Sequence, residues 1–322
     1  MAHPWASGAV VAITVTALCL VAAEASAQEP AAERRRAFLD SLGPPSMPGL
    51  SHEGVDFNFE YTIASAAPTD SVTGENLGGP RAVAYVARWL FELPLIDRVW
   101  YLGVESEVGA ASVPSGVTAG TGGSSLLFGN PEIWTRALWS GSSGLAGGGG
   151  LAFVLPIPRS FSDLEAEVVR AVRTVRPAGY AHYQDLTFTA RPYVDIRHVT
   201  GPVVLQARQG LDFSVVAREL GDHENRTDLA AWLSLYAGVE IIRELTIGLE
   251  ATEVYQLTAD TSSPACPAPC DAGRAQLTLS PMVRARVGRV APAVSALFPI
   301  SSPLRSEVAS YFAGRLHLDV LF

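Results

Sequence analysis

The chain has 322 residues, of which 48% are hydrophobic and only 17% are charged, which is enough for one large all-β domain or two ordinary ones. A formal net charge of −9 argues against a protein that binds nucleic acid.

The N-terminus carries the single long apolar run of the sequence. It extends from Ala9 to Ala23 and is followed by Ala25-Ser26-Ala27, an A-x-A pattern typical of signal-peptidase cleavage. The run is too short for a helix that spans a bilayer. We therefore expect residues 1–27 to be a signal peptide that is cleaved on export, although the segment before the run lacks the usual Lys or Arg.

Residues 28–53 form a leader before the first strand. The segment from Ala31 to Leu42 is compatible with a short helix, which Gly43, Pro44 and Pro45 would end. Two interpretations stay open for this leader. It either rests against or plugs the domain that follows, or it is a frayed extension.

From residue 54 onwards, apolar and polar residues alternate, which predicts β-strands. In VDFNFEYTI, Phe57, Phe59 and Tyr61 share one face, whereas Asp56 and Glu60 share the other. The pattern recurs about twelve times. The later segments are 81–93, 99–110, 131–139, 145–157, 186–196, 203–215, 229–241, 245–255, 275–287, 290–300 and 308–322. Alternation is least clear in 131–139, so its register stays open.

A resemblance appears in the middle of the chain. LLFGNPEIWTRALW, followed by GLAGGGGLAFVLPIP, resembles a strand-turn-strand of barrels from phenol meta-pathway transporters and related hydrophobic-substrate porins. The usual Pro-Thr-Gly after the second strand is replaced by Pro156-Ile157-Pro158. The resemblance implies passage of a solute and assigns no role to a particular residue.

Small residues mark one face of the segment 145–157. Gly148, Gly150 and Ala152 lie opposite Leu151 and Phe153. Their size either leaves room for a folded-in loop, a plug helix or a ligand, or reflects local curvature of the sheet, which we favour.

The connection over residues 158–185 contains a helix signal. Ser162 and Glu165 fit a capping box, Val168 and Val172 follow at helical spacing, and Pro177 ends the pattern. The other face carries arginines, which are Arg170, Arg173 and Arg176. They would either attract anions at a lid or a lumen constriction, or form the solvated face of an ordered loop, which we favour.

Two cysteines remain after the signal peptide, Cys266 and Cys270 in CPAPC. Because an exported protein meets oxidising conditions, a loop disulfide is favoured over a metal-binding pair. Asp222-His223-Glu224 offers metal-ligand chemistry, but a polar loop tip is the simpler interpretation. We expect neither a metal site nor a cofactor.

The last strand alternates without a break to the C-terminal residue. One face carries Leu316, Leu318, Val320 and Phe322, and the other carries Arg315, His317 and Asp319. A final strand that ends in Phe resembles the terminal strand of Gram-negative outer-membrane β-barrel proteins, in which it is the insertion signal for the barrel assembly machinery. The resemblance implies that role for the four apolar residues. The alternative is a half-buried strand of a secreted β-sandwich.

Short and long connections alternate along the chain. Short turns fall at 94–97, 140–144, 199–202, 242–244 and 288–289, and long connections at 66–80, 111–130, 158–185, 217–226, 258–273 and 301–307. Outer-membrane barrels have short periplasmic turns and long outer loops, whereas a β-sandwich has no reason to sort its loops. We predict an all-β, closed, antiparallel, up-and-down transmembrane β-barrel of about 12 strands over residues 54–322, located in the cell outer membrane. Residues 28–53 would then be a periplasmic leader or a plug of the barrel.

Charges of both signs are expected on the inner face of this barrel. The candidate lumen residues are Asp56, Glu60, Arg88, Glu92, Glu105, Glu107, Arg191, Asp195, Arg208, Asp212, Arg284, Arg286, Arg315, His317 and Asp319, with Arg197, Glu240 and Glu250 beside them. They either set the selectivity of a pore or fill a narrow lumen with ion pairs. Half of these acidic residues lie on the first three strands, whereas each of these arginines except Arg88 lies on a later strand, which predicts a polarised lumen.

The function that we predict is passive passage of a small solute through this lumen. The alternative is a non-conducting structural or adhesive barrel, and a lipid-modifying enzyme is less favoured because no Ser–His pair is evident. The expected partners are the lipid bilayer, lipopolysaccharide, the barrel assembly machinery and a small-molecule solute, with no nucleic acid.

Overall fold

A computed structural model describes most of the chain after the leader. The described residues are 43–44, 56–68, 81–96, 99–113, 123–140, 144–157, 163–184, 186–216, 227–258, 275–300 and 308–322. The predictions for the signal peptide, for Cys266 and Cys270, for Asp222 to Glu224 and for Ser162 lie outside these residues. Within them, no helix combines the length and the apolar character that a membrane crossing requires.

Strands account for most of the described residues. They are β1 (Asp56–Pro68), β2 (Ala82–Ile96), β3 (Trp100–Val113), β4 (Gly123–Phe128), β5 (Glu132–Ser140), β6 (Leu145–Val154), β7 (Thr187–Thr200), β8 (Val203–Val216), β9 (Thr227–Ile242), β10 (Leu245–Gln256), β11 (Ala275–Ala285), β12 (Val290–Pro299) and β13 (Val308–Leu321). Between β6 and β7 lie the helix α1 (Asp163–Val175) and a 3₁₀ helix (Pro177–Tyr183).

The described strands close into one antiparallel barrel. Pairing proceeds strand by strand around the ring, and β1 joins β13 in a register that sets Glu60 opposite His317. Because β4 and β5 lie end to end beside β3, the ring has twelve positions. The predicted closed barrel of about twelve strands is confirmed. Closure matters because hydrocarbon offers no partner to an unpaired strand edge.

Alternation along each strand separates an apolar outside from a polar inside. On β2, Trp89 and Phe91 are 36% and 37% exposed on the outer face, whereas Arg88 and Glu92 are buried on the inner face. The last strand follows the same rule, with Leu316 outside and His317 inside. The outer surface therefore matches a hydrocarbon environment, as predicted from the alternation.

Short turns connect the strands at one end of the barrel, which also carries the start of β1 and the C-terminus. Gly201 and Gly288 occupy two of these turns with φ values of 52° and 61°, a left-handed conformation that favours glycine. This end is called the short-turn end below, and the opposite end is called the long-loop end.

The prediction of a loop over residues 111–130 is wrong. β3 continues to Val113, and β4 returns beside it with Gly123 paired to Val113 and Phe128 paired to Val108. Its sequence, GSSLLF, is short and rich in small polar residues, so alternation did not identify it. The chain then breaks at Gly129 to Pro131 before β5 begins, because proline has no N–H to donate to a sheet.

Asn130 stabilises this break by binding chain segments that enter the barrel. Its side-chain N–H donates to the carbonyl of Gln184 at 2.7 Å, and its Oδ1 accepts from the N–H of Ile157 at 3.1 Å. Its backbone N–H donates to the carbonyl of His182 at 2.6 Å. The end of the 3₁₀ helix is therefore fixed to the inner wall.

Aromatic side chains lie flat over glycines of neighbouring strands. A Cβ atom on Gly103 would overlap the ring of Trp134, and one on Gly150 would overlap Tyr193. At Gly148 the side chain of Leu138 fills the corresponding space. The small face of the strand 145–157 is thus explained by packing along the wall, which is neither of the two interpretations drawn from the sequence.

Candidate functional site

The helix α1 lies inside the barrel at the long-loop end. Val168, Val172 and Val175 are at most 1% exposed and join an apolar cluster with wall residues that include Ala84 and Ala111. Its contacts are with β2, β3, β4 and β13. The alternative of a lumen constriction therefore describes the position of α1, whereas the solvated face predicted for Arg170 and Arg173 concerns side chains outside the described part of the structure.

Arg176 follows the helix and contacts three acids of the inner wall. Its guanidinium lies 3.5 Å from Glu60 and 3.4 Å from Glu105, and it also contacts Glu107. An arginine among several buried carboxylates replaces the water that each of them has lost. Arg176 therefore holds the helix against the wall, and its predicted place on a solvated face is wrong.

Further ion pairs join neighbouring strands on the inner wall. Arg88 binds Glu105 at 2.6 Å and approaches Glu60 at 3.6 Å, while Arg315 approaches Glu60 at 3.8 Å from the closing strand. Arg208 binds Asp195 through two nitrogens, at 2.5 and 2.8 Å. These predicted lumen residues therefore meet as a network on the inner wall.

Two members of this network were missed in the sequence. Arg136 is 1% exposed and binds Glu92 at 2.5 Å, and Glu132 binds Arg191 at 2.6 Å. Arg191 also donates to Asp212 at 2.9 Å. Both missed residues lie on β5, where the register was left open.

The predicted polarisation of the lumen is wrong. Closure of the ring brings Arg315 of the last strand to Glu60 of the first, and Arg176 enters the acidic side from the connection before β7. Arg136 adds a positive charge among the early strands. Charges that are separated along the chain are consequently interleaved in space.

The short-turn end carries a further group of charges. Arg284 on β11 and Asn58 on β1 both donate to Asp319 on β13. Asp56 begins β1 and is buried, whereas Arg286 follows the end of β11 and is half-buried. These contacts place the remaining predicted residues near the mouth of the lumen.

The leader reaches this group. Gly43 and Pro44 are buried, and the carbonyl of Gly43 accepts a hydrogen bond from Arg284. A Cβ atom on Gly43 would lie 2.9 Å from Oε1 of Gln206 and 3.4 Å from a nitrogen of Arg197. These two leader residues therefore occupy the lumen between β7, β8 and β11.

A cavity of about 110 Å³ lies between the network and the far wall. The helix side contributes charged groups, which are Glu60, Arg88, Glu105, Arg176 and Arg315. The opposite side is formed by β9, β10 and β11 and contributes Ser234, Glu250, Thr252 and Thr278. A polar solute in this cavity would meet charged groups on one side and mainly hydroxyl groups on the other.

The structure brings together one Ser–His pair that was not evident in the sequence. Oγ of Ser295 lies 3.4 Å from Nε2 of His317, and Nδ1 of His317 lies 3.7 Å from Glu60. Neither Ser295 nor His317 is among the residues that line the central cavity. The pair therefore offers no nucleophile to a solute held there.

Comparison with known proteins identifies the fold. No model of a known protein family matches the sequence, and no curated protein is similar to it. An outer-membrane channel from Pseudomonas putida F1 matches the structure with a TM-score of 0.63 and 9% identity, over 88% of this chain and 100% of that one. The chain has an outer-membrane β-barrel fold. The resemblance seen in its last strand is thereby confirmed.

Two other outer-membrane barrels are less similar. The NanC porin matches with a TM-score of 0.47 and 10% identity, over 83% of this chain and 100% of its own. The translocator domain of the autotransporter NalP from Neisseria meningitidis matches with 0.48 and 9%, over 85% and 91%. These outer-membrane barrels share the closed antiparallel architecture, but scores this low carry no argument about function.

Proposed function

We propose that this protein is a passive channel of the outer membrane that admits a small polar solute through its lumen. The observation that carries the proposal is the central cavity, which polar side chains from opposite walls surround. A barrel that serves only as a scaffold has no need to keep such a space. The fold shared with an outer-membrane channel agrees with this proposal.

The route of the solute follows the wall that the helix leaves uncovered. Because α1 packs against β2, β3, β4 and β13, the space inside the barrel lies toward β9, β10 and β11. The hydroxyl groups of Ser234 and Thr252 on this wall lie 3.4 Å apart. Hydroxyl groups both donate and accept hydrogen bonds, so they would replace the water around a passing solute at little cost in free energy.

The charged network sets which solutes pass. Arg315 has the longest of the ion-pair distances to Glu60, and it borders the cavity together with Arg176. These guanidinium groups would attract a solute with a net negative charge, and Glu250 on the opposite wall would attract one with a net positive charge. We include in this proposal that the predicted lumen residues, from Asp56 to Asp319, set the selectivity of the channel.

The same proposal includes the route to the membrane. A signal peptide directs export, the last strand with Leu316, Leu318, Val320 and Phe322 directs insertion by the assembly machinery, and the outer loops contact lipopolysaccharide. Phe322 is 64% exposed on the outer face, where an assembly factor can reach it.

Single-channel recording in planar bilayers tests the proposal. The full mature chain should show discrete openings, and Thr252→Trp should lower the conductance because the indole would fill the cavity. Ala251→Trp is the matched control, since Ala251 is the preceding residue of β10 and faces outward, opposite Leu235 and Leu279. A silent wild-type barrel would favour the non-conducting alternative. An equal effect of both substitutions would mean that the solute does not pass through this cavity.

A further inference from the structure

Two acids and a histidine meet beside the helix in the inner wall. Glu105 and Glu107 project from β3, and His182 reaches them from the 3₁₀ helix; the three residues are at most 5% exposed. One ligand-type atom from each lies within 4.8 Å of the other two. Nε2 of His182 is 3.5 Å from Glu105 and 3.9 Å from Glu107.

The orientation of the imidazole fixes which nitrogen carries hydrogen. Nδ1 of His182 lies 2.8 Å from the carbonyl oxygen of Asn130, and a carbonyl only accepts, so Nδ1 must donate. In the neutral ring, this leaves Nε2 as the nitrogen with the lone pair. Nε2 then directs a lone pair at carboxylates, and it has no hydrogen-bond partner among the residues that the structure describes.

Glu107 presents a second unused ligand atom. Its side chain is fully buried, one oxygen contacts Arg176, and Oε2 has no hydrogen-bond partner within the described part of the chain. In Glu105, Arg88 binds Oε2, and Oε1, which accepts from Arg176 at 3.4 Å, is the atom turned toward His182. The guanidinium of Arg176 reaches one oxygen of each glutamate, but Nε2 of His182 and Oε2 of Glu107 remain acceptors without a donor in the described part of the chain. A cation bound between them would offset the cost of burying both atoms.

We propose that Glu105, Glu107 and His182 bind a divalent transition-metal ion. A tetrahedral ion with bonds of about 2.1 Å separates its ligand atoms by about 3.4 Å, close to the spacings found here. One imidazole nitrogen with carboxylate oxygens suits Zn²⁺ or its neighbours better than Mg²⁺ or Ca²⁺. The carbonyl of Asn130 supplies the outer hydrogen bond that usually orients a metal-binding histidine.

Glu132 completes the surroundings of the site. Its Oε2 is 3.5 Å from Nε2 of His182 and also binds Arg191, so it is placed as a further ligand or as a partner of bound water. Both Glu105 and Glu132 border the central cavity, which gives an ion a path to the site. The bound ion would join the 3₁₀ helix to β3 and so hold the inserted segment in place.

Zinc binding to the full mature chain tests this site. The protein is prepared without a histidine tag and with Cys266→Ser, Cys270→Ser and His223→Gln, which removes the loop ligands seen in the sequence. After chelation and exchange into Zn²⁺, calorimetry should detect one ion per chain. His182→Gln and Glu107→Gln should each weaken binding at least tenfold.

His198→Gln is the matched control, because His198 is also buried but lies on β7 away from the cluster. It should bind zinc as the parent does. The shift of folded barrels on unheated gels verifies folding of each variant, and visible absorption of Co²⁺ reports tetrahedral coordination. No stoichiometric binding by the parent chain, or unchanged binding by a folded His182→Gln or Glu107→Gln variant, would overturn the proposal. Conductance plays no part in these readouts, so failure here leaves the channel proposal standing.

Discussion

The two sides of the lumen use the same alternation of residues for different purposes. On the side formed by β1 to β5 and β13, inward charges pair with one another and with Arg176 of the inserted segment. On the side formed by β9 to β11, inward hydroxyl groups border the cavity, and Ser234 donates to Glu250 at 2.6 Å. The first side holds α1 and Arg176 in place as a plug of the lumen, and the second borders the cavity through which we propose that the solute passes.

This difference shows that an inward charge does not by itself indicate a conducting pore. Arg136 and Glu92 are almost completely buried against each other and are removed from any solute. Arg315 and Glu250 border the cavity, where their charges would attract or repel a solute. The comparison therefore separates residues that hold the barrel together from residues that we propose to set the selectivity for solutes.

Removing the plug should have the largest effect. Replacement of residues 163–176 by a flexible Gly-Ser linker of equal length takes away α1 and Arg176, while the closed ring of strand pairs remains. We expect the single-channel conductance to rise several-fold. Cation preference should rise with it, because Glu60 and Glu105 lose a positive partner.

The matched control is the same replacement over residues 259–272, a stretch of equal length between β10 and β11. It should leave conductance close to that of the parent. If the loss of α1 leaves the conductance of a folded barrel unchanged, the helix does not narrow the path, and the division into a plugged and an open side is wrong.

Breaking one buried ion pair should have the next largest effect. Arg136→Met removes the guanidinium that binds the buried carboxylate of Glu92. We expect a loss of about 3–5 kcal/mol in the free energy of unfolding, measured in urea by tryptophan fluorescence. The double variant Arg136→Met with Glu92→Met should recover most of this loss, since neither charge then remains. A double variant as unstable as the single one would assign the effect to lost packing against Tyr101 and Trp134.

The division into outside and inside was predictable because it depends on local alternation alone. Leu316 and His317 were assigned to the correct faces from a period of two. The same rule failed for Glu132 and Arg136, since their strand carries Trp134 inside and Trp139 outside, and an aromatic on each face hides the register.

The contents of the lumen were not predictable in the same way. Helical spacing identified α1, but spacing does not say what its apolar stripe packs against. The cluster of Glu105, Glu107 and His182 joins residues far apart in sequence, so no spacing signal exists for it. Such contacts follow from closure of the ring and from the insertion of a connection into it.

Adding a methyl group to a glycine that lies beneath an aromatic ring should have a moderate effect on stability. Gly103→Ala places a methyl group against the ring of Trp134, which must then shift within a packed wall. We expect a loss of about 1–3 kcal/mol in the free energy of unfolding. Gly314→Ala is the control, because a Cβ there meets nothing within 4 Å. Equal losses in the two variants would mean that backbone effects of alanine, rather than crowding of the ring, are responsible.

A substitution on the side of the lumen formed by β9 to β11 should have the smallest effect on stability. Thr252→Val keeps the shape of the side chain and removes a hydroxyl whose contact with Ser234 is long, at 3.4 Å. The free energy of unfolding should fall by about 1 kcal/mol at most, well below the loss expected for Arg136→Met. Solute flux into proteoliposomes should nevertheless decline, because the path loses a group that replaces hydration. A large loss of stability without a change in flux would mean that the wall formed by β9 to β11 is structural, like the side that holds the plug.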